Sequence, residues 1–287
     1  PLYKKNEEKG DYRTLLYPFT YGNLTNIHFN HTHKDKNIRN LFHNKKFRQA
    51  LSLAIDRKEI NHKVFYNSGT PRQNTTLPIN DIFEEKYARA YAEFNPDRAR
   101  DLLDEIGVVD KDGDGYRELP NGEKLQPTLM YCRLVTFDPT NLLEMVKKNW
   151  ANVGINLKLK FISQSLHWQR LAGNNFDMTV WVGAQSVMPS GVGFATWREY
   201  APVAAHQVGW YQWANWYTSG GNAGKEPPEN IKQLINIAET VVYSTDENER
   251  KKAEKKLLEK QAENIWTIGT VGLVPKPILA SNDLKNI

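Results

Sequence analysis

Asp138-Pro139-Thr140-Asn141-Leu142-Leu143-Glu144-Met145-Val146-Lys147-Lys148-Asn149-Trp150-Ala151-Asn152-Val153-Gly154-Ile155-Asn156-Leu157-Lys158-Leu159-Lys160-Phe161 changes its hydrophobic period in mid-course. Leu142, Leu143, Val146, Trp150 and Val153 recur at three- and four-residue steps, which places them along one side of a helix. Pro139 stands where helices begin, and Gly154 supplies the left-handed residue that ends one. Beyond it, Ile155, Leu157, Leu159 and Phe161 alternate with Asn156, Lys158 and Lys160, the period of a strand with one wet face. A helix running directly into a strand predicts an α/β layer.

Downstream, Ser165 to Gly173 reads as a short helix, and Phe176-Asp177-Met178-Thr179-Val180-Trp181-Val182 as a strand buried on both sides. From Gly183 to Gly224 no period is sustained, and the stretch is rich in Gly, Pro, Ala and aromatic residues; a long irregular segment of that kind points to a functional loop region. Pro227-Pro228-Glu229 opens a helix carrying Ile231, Leu234, Ile235, Ala238, Val241 and Val242. Asp246 and Glu249 cap the next helix, and Trp266 to Val274 reads as a strand. Upstream, Asn95-Pro96 starts a helix with Ala99, Leu102, Leu103 and Ile106 inside and Gly107 past its end. Phe47, Ala50, Leu51, Ala54 and Ile55 form another apolar stripe, Asp56 and Glu59 begin a third helix, and Asn26 to Asn30 alternates as a strand.

Bulk properties narrow the classes. With 287 residues, 40% hydrophobic and 25% charged, the chain buries a substantial core in one large domain or two lobes. No apolar run approaches the roughly 18 residues of a membrane span, and the first residues carry no secretory signal. A net charge of +5 raises nucleic acid as a partner, but the basic residues are interleaved with acids, as in Glu249 to Lys256, so no nucleic-acid role is expected. The single cysteine, Cys132, sits in an apolar run and reads as a buried small hydrophobe.

Four segments in order then resemble one family. Phe47-Arg48-Gln49-Ala50-Leu51-Ser52-Leu53-Ala54-Ile55-Asp56-Arg57 resembles the R-Q-A-L-x-x-A-I-D-R helix of the family 5 extracellular solute-binding proteins of ABC importers, the oligopeptide, dipeptide and nickel type. Asn95 to Gly107 followed by Asp112-Gly113-Asp114-Gly115-Tyr116-Arg117 is similar to that family's helix and hairpin, and Asn152-Val153-Gly154-Ile155 and Phe176-Asp177-Met178 to two further landmarks. The resemblance implies a type II periplasmic-binding-protein-like lobe, α/β, with a mixed sheet flanked by helices. It implies an inter-lobe crossover and strand over residues 1–42, a C-terminal ligand-binding lobe over 43–270, and a returning strand over 271–287 toward the other lobe, part of which, with the signal peptide, lies outside these residues. It also implies a protein in the periplasm or lipid-anchored outside the cytoplasmic membrane, which hands a peptide or oligosaccharide to membrane permease subunits.

In peptide-binding members an acidic residue soon after the strand holding Trp181 pairs with the peptide's amino terminus. Here Gly183-Ala184-Gln185-Ser186-Val187-Met188-Pro189 carries no acid, which weakens the peptide reading, since a buried ammonium needs a carboxylate. Aromatic rings stack on sugar faces while amides bind hydroxyls, so Trp181, Gln185, Trp197, Trp210, Trp213, Asn215, Trp216 and Tyr217 are the candidate ligand contacts, with ordinary core packing as the alternative for each ring. A glycan-active enzyme using the same aromatic cleft is the alternative function; it requires two facing carboxyl groups.

Other features read as structural. Asp110, Asp112, Asp114 and Gly115 match the start of a calcium loop, but Asn121 replaces the closing Glu and the flanks look like a hairpin, so an Asp-Gly turn is favoured. His28, His31 and His33 are read as polar loop histidines rather than a metal site, because His28 opposes the other two on a strand. No phosphate loop, HExxH pair or nucleophile elbow is present, and no cofactor and no catalytic residues are expected.

Overall fold

The structure is a computed structural model that describes residues 2–17, 21–134, 137–183, 197–205 and 207–285, with the backbone alone at residues 197 and 198. Nine strands are described: β1 (Tyr12–Tyr17), β2 (Asn23–Phe29), β3 (Thr70–Pro71), β4 (Thr128–Tyr131), β5 (Lys158–Phe161), β6 (Met178–Gly183), β7 (Thr267–Gly269), β8 (Val271–Gly272) and β9 (Lys276–Ser281). The helices are α1 (Leu2–Lys5), α2 (Glu7–Gly10), α3 (Lys36–His43), α4 (Lys45–Leu53), α5 (Arg57–Phe65), α6 (Glu85–Arg89), α7 (Pro96–Asp104), α8 (Thr140–Ala151), α9 (Gln164–Ala172), α10 (Trp197–Tyr200), α11 (Tyr211–Thr218), α12 (Glu229–Tyr243) and α13 (Glu247–Asn264).

The central sheet has the order β5-β4-β6-β2-β7. β4 runs parallel to β5 and β6, whereas β2 is antiparallel to both β6 and β7, so the sheet is mixed as expected. One face carries Ile27, Phe29, Leu129, Val180 and Ile268 into a core with Phe47, Leu51, Leu103 and Trp150 from α4, α7 and α8. The opposite face carries Met130 toward Leu171 of α9 and Tyr211 of α11. A second core joins α12 and α13 through Leu234, Ile235, Leu257 and Leu258 to Trp210, Trp213 and Trp266. β1 and β9 form a separate antiparallel ribbon that sets Tyr12 opposite Ser281.

The helix caps follow the expected chemistry. Asn95 accepts from the Arg98 backbone N–H ahead of α7, Asp56 from Glu59 ahead of α5, and Asp246 from Asn248 and Glu249 ahead of α13. Gly107 and Gly154 have φ of +73° and +83°, the left-handed geometry inferred for them. Two readings are corrected. Trp266 to Val274 is not one strand but β7 and β8, which pair in different sheets. The 183–224 stretch is not irregular throughout, since α10 and α11 lie inside it; their few turns are too short to establish a helical period.

Trp150 is fully buried, and its indole N–H donates to the Leu51 carbonyl at 2.9 Å, tying α8 to α4. Trp150→Phe removes that donor, strands the carbonyl and leaves a small void, so stability falls by about 2 kcal/mol. Urea denaturation measures the loss; a change of less than about 0.5 kcal/mol, the size expected of surface substitutions, contradicts this account.

Candidate functional site

Gly183 closes β6 at its carboxyl end. That end of the sheet gathers uncharged polar side chains. Asn23 donates to the Gln73 carbonyl at 2.9 Å and accepts from the Thr270 N–H at 3.1 Å. Gln73 accepts from the Gly269 N–H at 2.9 Å, and Asn74 donates to the Thr267 hydroxyl at 3.0 Å. Asn26 is fully buried, yet among the described residues neither atom of its amide has a hydrogen-bond partner, and the Asn74 side-chain oxygen is likewise unpaired there. Such orphans are costly unless something completes them.

Backbone geometry holds the cluster tight. A Cβ on Gly183 would lie 1.7 Å from the Asn26 amide nitrogen, and one on Gly269 would lie 2.4 Å from the Asn74 backbone nitrogen. Only glycine permits either approach. A register irregularity in β2 between Asn23 and Asn26 sits at the same edge, where bulges commonly re-aim side chains.

Register also sets the face. Asn26 opposes both Trp181 and Gly269, and His28 opposes both Thr179 and Thr267. The Trp181 ring stacks on His167 at 5.5 Å and meets Trp168 edge-on at 4.9 Å. His28 and His167 stay neutral: burial, with a smaller push from His167, lowers His28 to about 3, and burial lowers His167 to about 4. His28 is thus a buried strand residue, not a loop histidine. His31 too is buried, among the rings of Trp210, Trp213 and Trp266, while His33 meets the Asp177 carboxylate at 3.1 Å. Local sequence around these histidines is polar, which is why they read as loop positions; the sheet and the tryptophans that cover them come from far along the chain.

A carboxylate absent from Gly183 to Pro189 arrives from farther on. Asn74 donates to Glu199 of α10 at 3.4 Å, and beside it the Tyr200 hydroxyl is driven well above its ordinary value by burial and by the Glu199 charge. Asn23, Asn26, Gln73, Asn74 and Glu199 were not singled out by sequence reasoning; the only local signal is the polar run Arg72-Gln73-Asn74-Thr75-Thr76, with no apolar period.

The sequence-derived contacts fall into separate surroundings. Trp181 is half-buried on the sheet face beside Asn26, as described. Gln185 and the side chain of Trp197 lie outside the described residues. Trp210 and Trp213, only 2% and 4% exposed, are core rings, although Trp213 also borders a depression of about 510 Å³ with His31, His43, Arg39 and Lys225. Asn215, Trp216 and Tyr217 lie on the C-terminal half of α11; the Tyr217 hydroxyl donates to Glu239 of α12 at 3.0 Å, and Lys232 lies 5.7 Å from the Trp216 ring. Of the described candidates, Trp213, Asn215, Trp216 and Tyr217 lie on α11 with Trp210 as its N-cap residue, whereas Trp181 stands on β6, and the inner side of α11 is spent on the core.

Asp110, Asp112, Asp114 and Glu118 bring ligand-type oxygens within 4.8 Å of one another. Asp110 accepts from the Gly113 and Gly115 N–H groups at 2.7 and 2.9 Å, and Lys124 approaches Asp114 at 3.5 Å, so the carboxylates close turns and meet a cation of the chain itself.

The described residues thus form an α/β fold in which a mixed sheet is flanked by helices and a cluster of uncharged polar side chains gathers at the carboxyl end of β6. The profile described as "Bacterial extracellular solute-binding proteins, family 5 Middle" matches residues 1–203, and the chain belongs to that family. It is similar to the periplasmic alpha-galactoside-binding protein of Rhizobium meliloti (strain 1021), 24% identical over 255 residues, covering 88% of this chain and 35% of the relative. Among solved structures it superposes on an oligopeptide-binding protein OppA with a TM-score of 0.83 and 30% identity, covering 100% of this chain and 46% of that one. It also superposes on the periplasmic binding protein MelB from Agrobacterium fabrum C58 in complex with stachyose, with a TM-score of 0.68 and 21% identity, covering 94% and 40%. The chain thus spans between a third and a half of the length of these proteins, all of them named as binding proteins.

Proposed function

We propose that this chain is a lobe of an extracytoplasmic solute-binding component of an ABC importer, a receptor rather than a catalyst, which holds its solute at the carboxyl edge of the central sheet and delivers it to membrane permease subunits. The observation that carries the reading is the set of uncharged amides and hydroxyls around Gly183, with the Asn26 amide and the Asn74 side-chain oxygen unpartnered among the described residues and Trp181 beside them. Amides that both donate and accept suit the hydroxyls of an oligosaccharide, and a tryptophan face suits its ring. Gln185 and Trp197 belong to the same proposal by their place in the sequence, between Gly183 and Glu199. The β1/β9 ribbon supports the division into a crossover over 1–42, a lobe over 43–270 and a return over 271–287, because it carries the chain into and out of the lobe at one place.

Glu199 favours a second ligand class: beside Asn74 it is placed to accept from a peptide ammonium. Thermal denaturation of the full-length protein against neutral oligosaccharides and against short peptides separates the two. A ligand present at about 100 times its Kd stabilises by about 2.7 kcal/mol, a shift of several degrees. Trp181→Ala abolishes the shift in either case. Glu199→Gln abolishes it for a peptide but only reduces it for a sugar, whose hydroxyl still bonds to the amide. If neither ligand class shifts the unfolding midpoint, the proposal fails.

A further inference from the structure

Away from the carboxyl edge, where β4 and β5 begin, the structure holds a depression of about 490 Å³ bordered by Lys147, Lys158, Lys160 and Arg170. The cations come from three elements: Lys147 from α8, Lys158 and Lys160 from β5, and Arg170 from α9. Pairing of Thr128 with Lys158 and of Met130 with Lys160 turns both strand lysines toward the face that α9 covers. Among the described residues, none of the four has a carboxylate oxygen within the 4.0 Å of an ion pair, whereas many of the other Lys and Arg side chains do, including Lys46, Lys63, Arg98, Arg117, Lys232 and Lys251. The acid at the rim, Asp177, is already engaged by the His33 ring at 3.1 Å and the Thr128 N–H at 2.8 Å. Met130, Leu159 and Phe176 line the remainder and keep part of the wall apolar, which focuses the field of the cations into the depression.

β5 is an edge strand, and lysines on an edge strand commonly guard it against pairing with another chain. That duty explains Lys158 and Lys160. It requires neither Lys147 nor Arg170, which reach the same depression from two helices on different sides of the sheet.

We infer that this depression is an anion site, separate from the solute site, that takes a ligand bearing several phosphate groups. Three flexible ammonium groups and one guanidinium supply point charges and a planar fork around a single space, and clustered phosphates match them better than a lone carboxylate does. A soluble oligophosphate and the headgroups of an anionic membrane share that chemistry.

Calorimetric titration of the full-length protein with sodium tripolyphosphate at low ionic strength tests the inference. The expected result is one saturable site, weakened about tenfold or more when Lys158→Gln, Lys160→Gln and Arg170→Gln are combined. The triple Lys158→Arg, Lys160→Arg, Arg170→Lys keeps the charge and retains binding. A control pair, Lys63→Gln with Lys251→Gln, also leaves binding intact, and the glutamine triple unfolds at the parent temperature because Lys158 and Lys160 are exposed, Arg170 is only half-buried, and none of the three is in an ion pair among the described residues. Sedimentation with phosphatidylglycerol vesicles identifies the source: binding lost in the glutamine triple supports the site with headgroups as ligand, and tripolyphosphate binding without vesicle binding supports it with a free oligoanion. Absence of saturable binding, or an equal loss in the control pair, overturns the inference.

Discussion

Below pH 6.5 the protein loses stability with a slope set by its buried histidines, and the decline continues to about pH 3, where His28 takes up its proton. Burial is the main cause of the low values at His28, His31 and His167; Arg48 and His43 press His31 further down, and His167 acts on His28. An unfolded histidine titrates near 6.5, so between that pH and the folded value the unfolded chain binds more protons than the native one. Stability is therefore fully present above 6.5 and falls as pH falls, by about 1.4 kcal/mol per pH unit for each such histidine. The His167 contribution levels off near 4 and that of His28 near 3. Among the described residues neither ring nitrogen of His28 has a hydrogen-bond partner, so no acceptor there offsets the cost of its charge. Urea denaturation at pH 7.5, 6.5 and 5.5 (about one-unit steps) reads the slope above the range in which carboxylates titrate. His28→Gln makes the slope shallower; parallel slopes for variant and parent would remove His28 from the account.

Arg57→Ala destabilises the protein by about 4 kcal/mol, the range for breaking a fully buried charged network. The Arg57 guanidinium donates to the Gly269 carbonyl at 2.9 Å, to the Ser52 and Ala92 carbonyls at 2.8 and 3.2 Å, and to the Ser52 hydroxyl at 2.7 Å. Burial lowers its pKa only to about 9, so it is a cation at neutral pH. Alanine strands those acceptors and leaves a void where α4, α5 and β7 meet. Because Gly269 also donates to Gln73, the loss extends to the polar cluster around Gly183, and the solute binding proposed there weakens as well. Lysine recovers only part of the loss, since one ammonium cannot span acceptors arranged for a planar fork. Denaturant titration and thermal scanning measure both variants; a loss under about 1 kcal/mol shows that water takes over the bonds.

The segment that resembles the family carries its polar residues for reasons visible only in three dimensions. Arg48 donates to the Asn264 and Ile265 carbonyls at 3.0 and 3.1 Å, Gln49 to the Glu263 carbonyl at 2.9 Å, and Asp56 caps α5. Arg48 and Gln49 thus hold α4 against the end of α13, and Arg57 ties α5 to β7, all through partners more than two hundred residues away in the chain. Sequence reading identified the motif and its helix, but not that the arginines are buried. Arginine on a helix usually faces water, and no local pattern marks one that serves distant carbonyls.

Periodicity in the chain determined the long helices, their Asn, Asp and Gly caps, the α/β class and, through four ordered segments, the family, because each of these depends on neighbours within a turn or two. Tertiary structure alone decided the strand order β5-β4-β6-β2-β7, the burial of the histidines, the inward turn of Trp210 and Trp213, and the meeting of Asn26, Asn74 and Glu199 beside Gly183. Those contacts join residues from about 30 to about 240 positions apart, and a side chain's distant partners leave no mark on its local sequence.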